Sequence, residues 1–544
     1  MVTNLLNFVL HFFIKIVNEI KFFPTERHIN IYCQVVKKFI ENNTVGCLLI
    51  VHFLAVLIRC LIVLYGNINL HTEEAQYWTW SQHLDWSYYS KPPVVAYLNH
   101  FSEWLFGHSE FSVRINAILL GFGTTIVTYL FTKELFKDKF KAFIASLLVY
   151  VMPFYLNSGL FFSTDAPLLF FAILAMYLGW MAITYNNWKY WVGFSIALGL
   201  GYLSKYAMLF FVPFTLLYLF FAQRKVLANN RLYLSFLLSF VFLLPVLIWN
   251  FKYDFIGFKH LIHLSGATSE VPNPFSRRIL KLAEYIGGQL AMISPLFLVF
   301  YFNAFRKYKT DKKILYLWLP ALIGFALFAV VALIRRGGAN VNWVMFSYVG
   351  LPILLAHYIV DAKKLKVSVL LSLVSLGIVI LLTNGSILDK TGVGKIYPPK
   401  ADALKKMKGW QEAANFIDSI EKLQNTNNYF VFSDSYHTTS ELRFYNYPQK
   451  GYYYANRGNR MTQFDLWKSI EQFENQGYSG IFISKKYTPN IEEPQQLPPD
   501  IAKAFDTDFE YYTHITYHRG SPIAQYHIYV LHNFKSLQTH TNNY

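Results

Sequence analysis

Two adjacent acids, Glu73 and Glu74, follow a long apolar run by only a few residues, in the stretch HTEEAQYWTWSQHLDWSYYSKPPVVAYL. A carboxylate so close to a membrane exit is costly unless it is used, and a carboxylate is a common base for deprotonating a hydroxyl. Lys91 stands before Pro92 and Pro93, whose rings fix the local backbone, and its ammonium offers a point charge to a leaving phosphate. The plainer reading of Glu73 and Glu74 is a surface acid pair. The plainer reading of Trp78, Trp80, Trp86, Tyr88 and Tyr89 is a set of rings lying at headgroup level.

A second acid, Asp165, lies in SGLFFSTDAPLLFF. Here Ser163, Thr164 or Asp165 reads equally as the cap of the helix that follows, where an acid complements the dipole. Lys205 divides two apolar stretches in GLGYLSKYAMLFF, either reaching out to the interface or meeting a phosphate. Arg335 and Arg336 open the RRGGANVN turn on the outer side, against the positive-inside trend, which makes anion binding more attractive for them than for the cytoplasmic lysines; a contact with an interfacial lipid headgroup is the competing reading.

These residues sit in a chain of 544 residues that is 54% hydrophobic and 19% aromatic, a composition that points to a membrane. Apolar runs predict spans at about 46–64, 113–131, 142–157, 166–184, 188–204, 206–222, 232–250, 286–304, 314–334, 343–360 and 367–383. The net charge of +17 comes largely from short loops at 132–141, 223–231, 305–313 and 361–366. All four fall on one side when the N-terminus is inside, so the charge reports topology rather than a nucleic-acid partner. The loops 65–112 and 251–285 and the tail then lie outside, in a bacterium in the periplasm.

Residues 1–45 read as a retained cytoplasmic or interfacial segment, 46–383 as the transmembrane domain, and 384–544 as a soluble α/β domain. In that tail 428–434 and 479–484 read as buried strands, 438–446 and 463–475 as helices, and 525–531 as a closing strand. The three cysteines, Cys33, Cys47 and Cys60, all precede the second span and supply neither a disulfide framework nor a metal cluster.

In the order HTEEAQYW, YYSKPPVVAYL, FSVR, STDAPLLFF and GLGYLSKYAMLFF, the chain resembles the GT-C superfamily of polyprenyl-phosphate-dependent glycosyltransferases. Within it, the likeness is to the branch of the protein mannosyltransferase type 2 domain and the lipid A aminoarabinose transferases. The likeness covers about 46–360, and FSDSYHTTSELRFY and ANRGNRMTQFDLW in the tail resemble bacterial members. It implies a polytopic α-helical GT-C fold of about 11 to 13 transmembrane helices with a periplasmic α/β domain. It also implies a sugar donor on undecaprenyl phosphate and inverting transfer to an envelope glycolipid such as lipid A at the outer face of the inner membrane.

By the same resemblance Glu73 and Glu74 occupy an AspGlu pair, with Glu where the first position is usually Asp, and Asp165 matches the second acid. Lys91 and Lys205 match phosphate-facing lysines, Arg335 and Arg336 join them, and Tyr77, Tyr88, Tyr89, Arg114 and Asn342 line the expected substrate pocket. Some members use a divalent metal near a histidine of a later outer loop. His260 and His263 fall near that loop, but EVPNPFSRRI aligns without a histidine, so the metal is left open and no other cofactor is expected. Two other readings stand beside this one: protein O-mannosylation on the same fold, and a lipid-linked sugar transporter or flippase. Against the latter, no inverted halves are visible and the acids gather on one face instead of at mid-membrane.

Overall fold

The computed structural model describes residues 37–265, 274–383, 402, 404–424, 428–448, 451–487, 496–537 and 540–542. The expected N-terminal interfacial segment up to residue 36, and the first four residues of EVPNPFSRRI, lie outside these. The chain divides into two compact units, one of residues 1–67, 106–244 and 269–375, the other of 68–105, 245–268 and 376–544.

The first unit is helical. In an apolar medium each backbone group must be satisfied within its own segment, and a helix does this for a single run. Among the described residues, four helices are long and apolar enough to cross a membrane: Thr44–Tyr65, Glu110–Phe136, Asp165–Tyr185 and Lys312–Ile334. Two bent pairs, Asn230–Val241 with Leu244–Lys252 and Phe275–Met292 with Pro295–Tyr308, raise this to six if each is one span. Leu244 ends the 106–244 segment of the first unit, so most of the second helix in the first pair belongs to the other unit.

Several expected spans are interrupted. The 142–157 run is split into Lys139–Val149 and Pro153–Ser158, with Pro153 starting the second piece because it lacks an N–H to continue the first. The 206–222 run begins as the 3-10 turn Tyr206–Phe210, and the 343–360 run contains Met345–Tyr348 before the helix Leu351–Asp361. The expected loop 251–285 is largely helical, with Ile256–Ser265 and the start of Phe275–Met292 inside it.

The core of this unit runs through helices Asp165–Tyr185, Trp188–Ser204 and Lys312–Ile334, with Phe131, Tyr218 and Tyr316 packed at its centre. Backbones approach closely at Gly350, where an added Cβ would lie 2.5 Å from the Leu317 carbonyl oxygen. The basic loops share one end of the unit. Lys141 pairs with Asp361 at 2.6 Å, Tyr308 donates to Asp361 at 2.9 Å, and Lys313 donates to the Leu135 carbonyl at 2.8 Å.

The second unit holds a sheet built from β1 (Tyr429–Ser433), β2 (Tyr452–Tyr454), β4 (Ser479–Lys486), β5 (Phe509–His518) and β6 (Ser521–Leu531), in the order β2-β1-β4-β6-β5. A separate ribbon pairs β3 (Arg457–Arg460) with β7 (His540–Asn542). β1 runs parallel to β2 and β4, and β6 is antiparallel to β4 and β5. Strand side chains alternate between faces, so Val431, Ile481, Ile528 and Val530 pack with Trp410 and Ile417. Phe430, Phe432, Phe482 and Tyr529 pack on the other side with Phe505 and Phe534.

The 525–531 strand is real but interior to the sheet rather than closing it, because β5 pairs along its outer side. Arg519 and Gly520, both at positive φ (52° and 72°), make the two-residue turn between β5 and β6, the geometry whose twist matches a hairpin. The expected helix 463–475 is instead two 3-10 turns, Gln463–Leu466 and Ile470–Phe473. Thr462 and Asp465 cap the first turn reciprocally, and Trp467 and Ser469 are extended, which stops propagation.

Candidate functional site

In the first unit three of the expected residues meet. Lys205 Nζ donates to Asp165 Oδ1 at 2.6 Å, and Asn342 Nδ2 donates to Asp165 Oδ2 at 3.0 Å. Asp165 is 6% exposed and opens helix Asp165–Tyr185, yet its side chain is not the cap. The cap position is Thr164, which makes no side-chain cap bond. Lys205 is extended between helix Trp188–Ser204 and the turn that follows, so the break in the apolar run is what aims its ammonium at Asp165.

Asn342 is held by the short turn Val341–Trp343. Gln289 donates to the Val341 carbonyl at 3.1 Å and accepts from the Tyr348 hydroxyl at 3.0 Å. Arg335 Nη1 donates to the Gly338 carbonyl at 2.8 Å, and its guanidinium lies 5.1 Å over the Trp343 ring. Arg335 thus shapes the turn that presents Asn342, while Arg336 is exposed. A cavity of about 420 Å³ opens here, lined by Lys281, Glu284, Tyr285, Gly338 and Asn342 among others. Arg114 is buried with its guanidinium 5.2 Å from the Phe161 ring.

The other expected residues lie in the second unit. Glu73 is exposed on the first turn of helix Thr72–Ser81, whereas Glu74 is 1% exposed and accepts from the His71 N–H at 2.9 Å. His71 Nδ1 in turn accepts from the Glu73 N–H at 3.2 Å, so the pair of acids is divided between an exposed carboxylate and a cap. Trp78, Trp80, Tyr88 and Tyr89 are buried, which corrects the interfacial reading of all but Trp86. Trp80 stacks on Tyr88 at 4.7 Å, Tyr77 packs 5.1 Å from Trp80, and Trp78 meets Phe444 edge-on at 5.0 Å.

Tyr88 donates to the Trp80 and His83 carbonyls at 3.1 Å each, and burial pushes its phenol well up. The Tyr88 N–H donates to the Lys91 carbonyl at 3.1 Å, closing the turn on which the half-buried Lys91 sits. Sequence reading missed the partners that fix this loop. Trp249 donates to Asp85 at 2.9 Å, and Gln463 Oε1 accepts from the Tyr89 N–H at 2.7 Å. The only signal for Gln463 was its place in ANRGNRMTQFDLW. His260 lies 4.8 Å from the Tyr89 ring, and burial, with Arg460, Lys91 and His263 nearby, pushes its imidazole down to about 3.

Among the described residues no three His, Cys, Asp or Glu side chains gather as a metal site. The partners of Asp165 are an ammonium and an amide N–H, which donate hydrogens and cannot ligate a cation.

A family model described as dolichyl-phosphate-mannose-protein mannosyltransferase matches residues 90–249. The lipid A galacturonosyltransferase RgtD of Rhizobium johnstonii is 28% identical over 57% of this chain and 64% of its own length. The undecaprenyl phosphate-alpha-4-amino-4-deoxy-L-arabinose arabinosyl transferase of Wigglesworthia glossinidia brevipalpis is 24% identical over 39% and 40%. The chain thus spans less than two thirds of the length of these curated relatives.

Among solved structures, ArnT from Cupriavidus metallidurans bound to undecaprenyl phosphate superposes with a TM-score of 0.60 at 13% identity, covering 88% of this chain and 97% of that one. The chain therefore has the GT-C fold, helical with a small C-terminal sheet domain. More particularly, its sequence relatives include a lipid A galacturonosyltransferase and aminoarabinose transferases.

Proposed function

We propose that this protein is an inverting glycosyltransferase of the bacterial inner membrane. It moves a sugar from undecaprenyl phosphate to an envelope glycolipid, lipid A or lipopolysaccharide, on the periplasmic side. The observation that carries the reading is the Asp165–Lys205–Asn342 cluster beside a cavity in a GT-C fold. The kinship with a lipid A galacturonosyltransferase supports the acceptor, and the structural likeness to ArnT with undecaprenyl phosphate supports the donor.

In this reaction the acceptor oxygen attacks the anomeric carbon, the bond from that carbon to the phosphate oxygen breaks, and the lipid phosphate leaves with the bonding electrons. Glu73 is assigned the proton of the acceptor hydroxyl, since it is the exposed acid of its pair. Lys205 is assigned to the leaving phosphate. Asp165 takes one of its three N–H donors and holds the ammonium in place, a preorganised charge for the transition state. Lys91 is the second phosphate-facing cation. Tyr77 and Tyr88, packed on Trp80, are assigned to shaping the loop that carries Glu73 and Lys91.

Mass spectrometry of envelope lipids tests the reading. A deletion strain should lack one sugar mass on lipid A or its core, restored by the wild-type gene; lipids identical to the parent would sink it. The mannosyltransferase family match favours a second reading, transfer to Ser or Thr of exported proteins. In that case the missing sugar is found on protein digests and not on lipid.

A further inference from the structure

The span Thr44–Tyr65 carries His52 and Arg59 in the otherwise almost wholly apolar run TVGCLLIVHFLAVLIRCLIVLY. They are seven residues apart, two helical turns, so they share one face. That face turns into the first unit. His52 is buried, its Nδ1 2.7 Å from the Tyr150 hydroxyl and its Nε2 3.2 Å from the Ser146 hydroxyl. Apolar seams close the helix onto its neighbours on either side of the pair, Leu48 with Tyr129 and Phe143 toward one end, Val63 with Ile115 and Ile118 toward the other.

Arg59 is half-buried between these seams, and its guanidinium lies 5.0 Å over the Tyr150 ring that His52 holds. Two glycines make the room for it. A Cβ on Gly159 would lie 2.7 Å from Arg59 Nη1, and one on Gly121 would lie 3.1 Å from the same atom. Gly159 has an ordinary φ of −97°, so the guanidinium, and not the backbone, is what a side chain there would disturb. Among the described residues no carboxylate lies within ion-pair distance of Arg59, and no oxygen accepts a hydrogen bond from it.

An aromatic face offsets only part of the cost of a guanidinium in hydrocarbon, and its five N–H donors still call for oxygen acceptors. Arg59 stands six residues, about 9 Å of helix, from the Tyr65 end of the span. Helical side chains lean toward the N-terminus, here away from that end, so the guanidinium is directed into the groove instead of out along the helix. The opposite face of the helix is exposed at Leu54, Leu57 and Ile58, so the neighbour that reaches this groove from the side is the bilayer. The anion a bilayer offers is the phosphate of its lipids, which a guanidinium fork grips at two points. Lys205, assigned above to the leaving phosphate, is a separate cation already bonded to Asp165.

We propose that Arg59, in the cradle of Gly121 and Gly159, seats the phosphate of an anionic membrane phospholipid at the edge of the helical unit, beside the segment 159–164 that leads into Asp165. The seat follows from the membrane class of the chain and is independent of the transfer reaction.

The test uses the full-length protein in detergent, with lipids titrated one at a time and bound copies counted by native mass spectrometry. Phosphatidylglycerol is the probe, diacylglycerol is the control that lacks a phosphate, and undecaprenyl phosphate is the competing occupant. Arg59→Gln should weaken phosphatidylglycerol about tenfold, near 1.4 kcal/mol, with Arg59→Lys intermediate and diacylglycerol unchanged. Gly159→Ala, which keeps the charge but fills the space of the guanidinium, should weaken phosphatidylglycerol as well. An unchanged phosphatidylglycerol constant in Arg59→Gln overturns the seat. An equal loss for diacylglycerol overturns it too, because the groove then recognises tails alone, and a loss confined to undecaprenyl phosphate gives the site to the carrier instead. No sugar is present, so the outcome stands apart from whether the protein transfers one.

Discussion

Asp165 stands where a helix would accept a capping carboxylate, but both its oxygens turn to Lys205 and Asn342. The Asp165–Lys205 contact is nearly buried, and removing one partner of such a pair leaves the other charge uncompensated, at about 3–5 kcal/mol. Asp165→Asn should therefore lower both thermal stability and transfer. A double Asp165→Leu, Lys205→Met variant should recover much of the stability and none of the transfer, measured by unfolding in detergent and by sugar incorporation in vesicles. Glu73 is exposed, so Glu73→Gln should leave stability unchanged and reduce turnover by about 10²-fold or more, the usual contribution of a general base. Full activity in Glu73→Gln would remove it from the mechanism. The acid pair was legible in the sequence, but the division of labour within it was not, because both are glutamates one residue apart and only the cap geometry separates them.

At the scale of elements, Glu74 closes the capping box of helix Thr72–Ser81. Glu74→Ala should cost about 1 kcal/mol through the lost cap, and Glu74→Gln, which keeps an acceptor oxygen, should cost less; the unfolding midpoints of the two variants check this. The helix Ile256–Ser265 adds a pH dependence. His260 is held near 3 when folded against an ordinary value of 6.5. Between these values the unfolded chain binds a proton that the folded chain does not, so stability falls as pH drops from 6.5 toward 3. His437, pushed down to about 4 by its burial, acts with the same sign. Unfolding midpoints at pH 7.5 and 5 should differ more in wild type than in a His260→Gln, His437→Gln variant; an equal difference would refute the assignment. β5 escaped sequence reading because FEYYTHITYH is mostly exposed or half-buried and lacks an apolar alternation, whereas β1 and β4 were plain from their buried apolar runs.

For the whole molecule, Lys141, Asp361 and Lys313 gather at one end of the helical unit, as a common side for the basic loops requires. Asp165 begins a helix whose other end is Tyr185, so charge and candidate chemistry stand at opposite ends of one span. In a cysteine-free background, Arg336→Cys should react with a membrane-impermeant maleimide added to intact spheroplasts and Lys307→Cys should not; the reverse pattern would invert the topology. The sequence alone determined the membrane class, the basic side and the candidate acids and lysines, because apolar run length, loop charge and local motifs are properties of short stretches of chain. Tertiary structure decided what no stretch contains. It joined Asp165, Lys205 and Asn342 across 177 residues, buried Trp78 and Trp80 in a protein core instead of leaving them at the lipid interface, and set Gln463 against Tyr89. A side chain's partners are fixed by how helices and strands pack against one another, and no local periodicity encodes that.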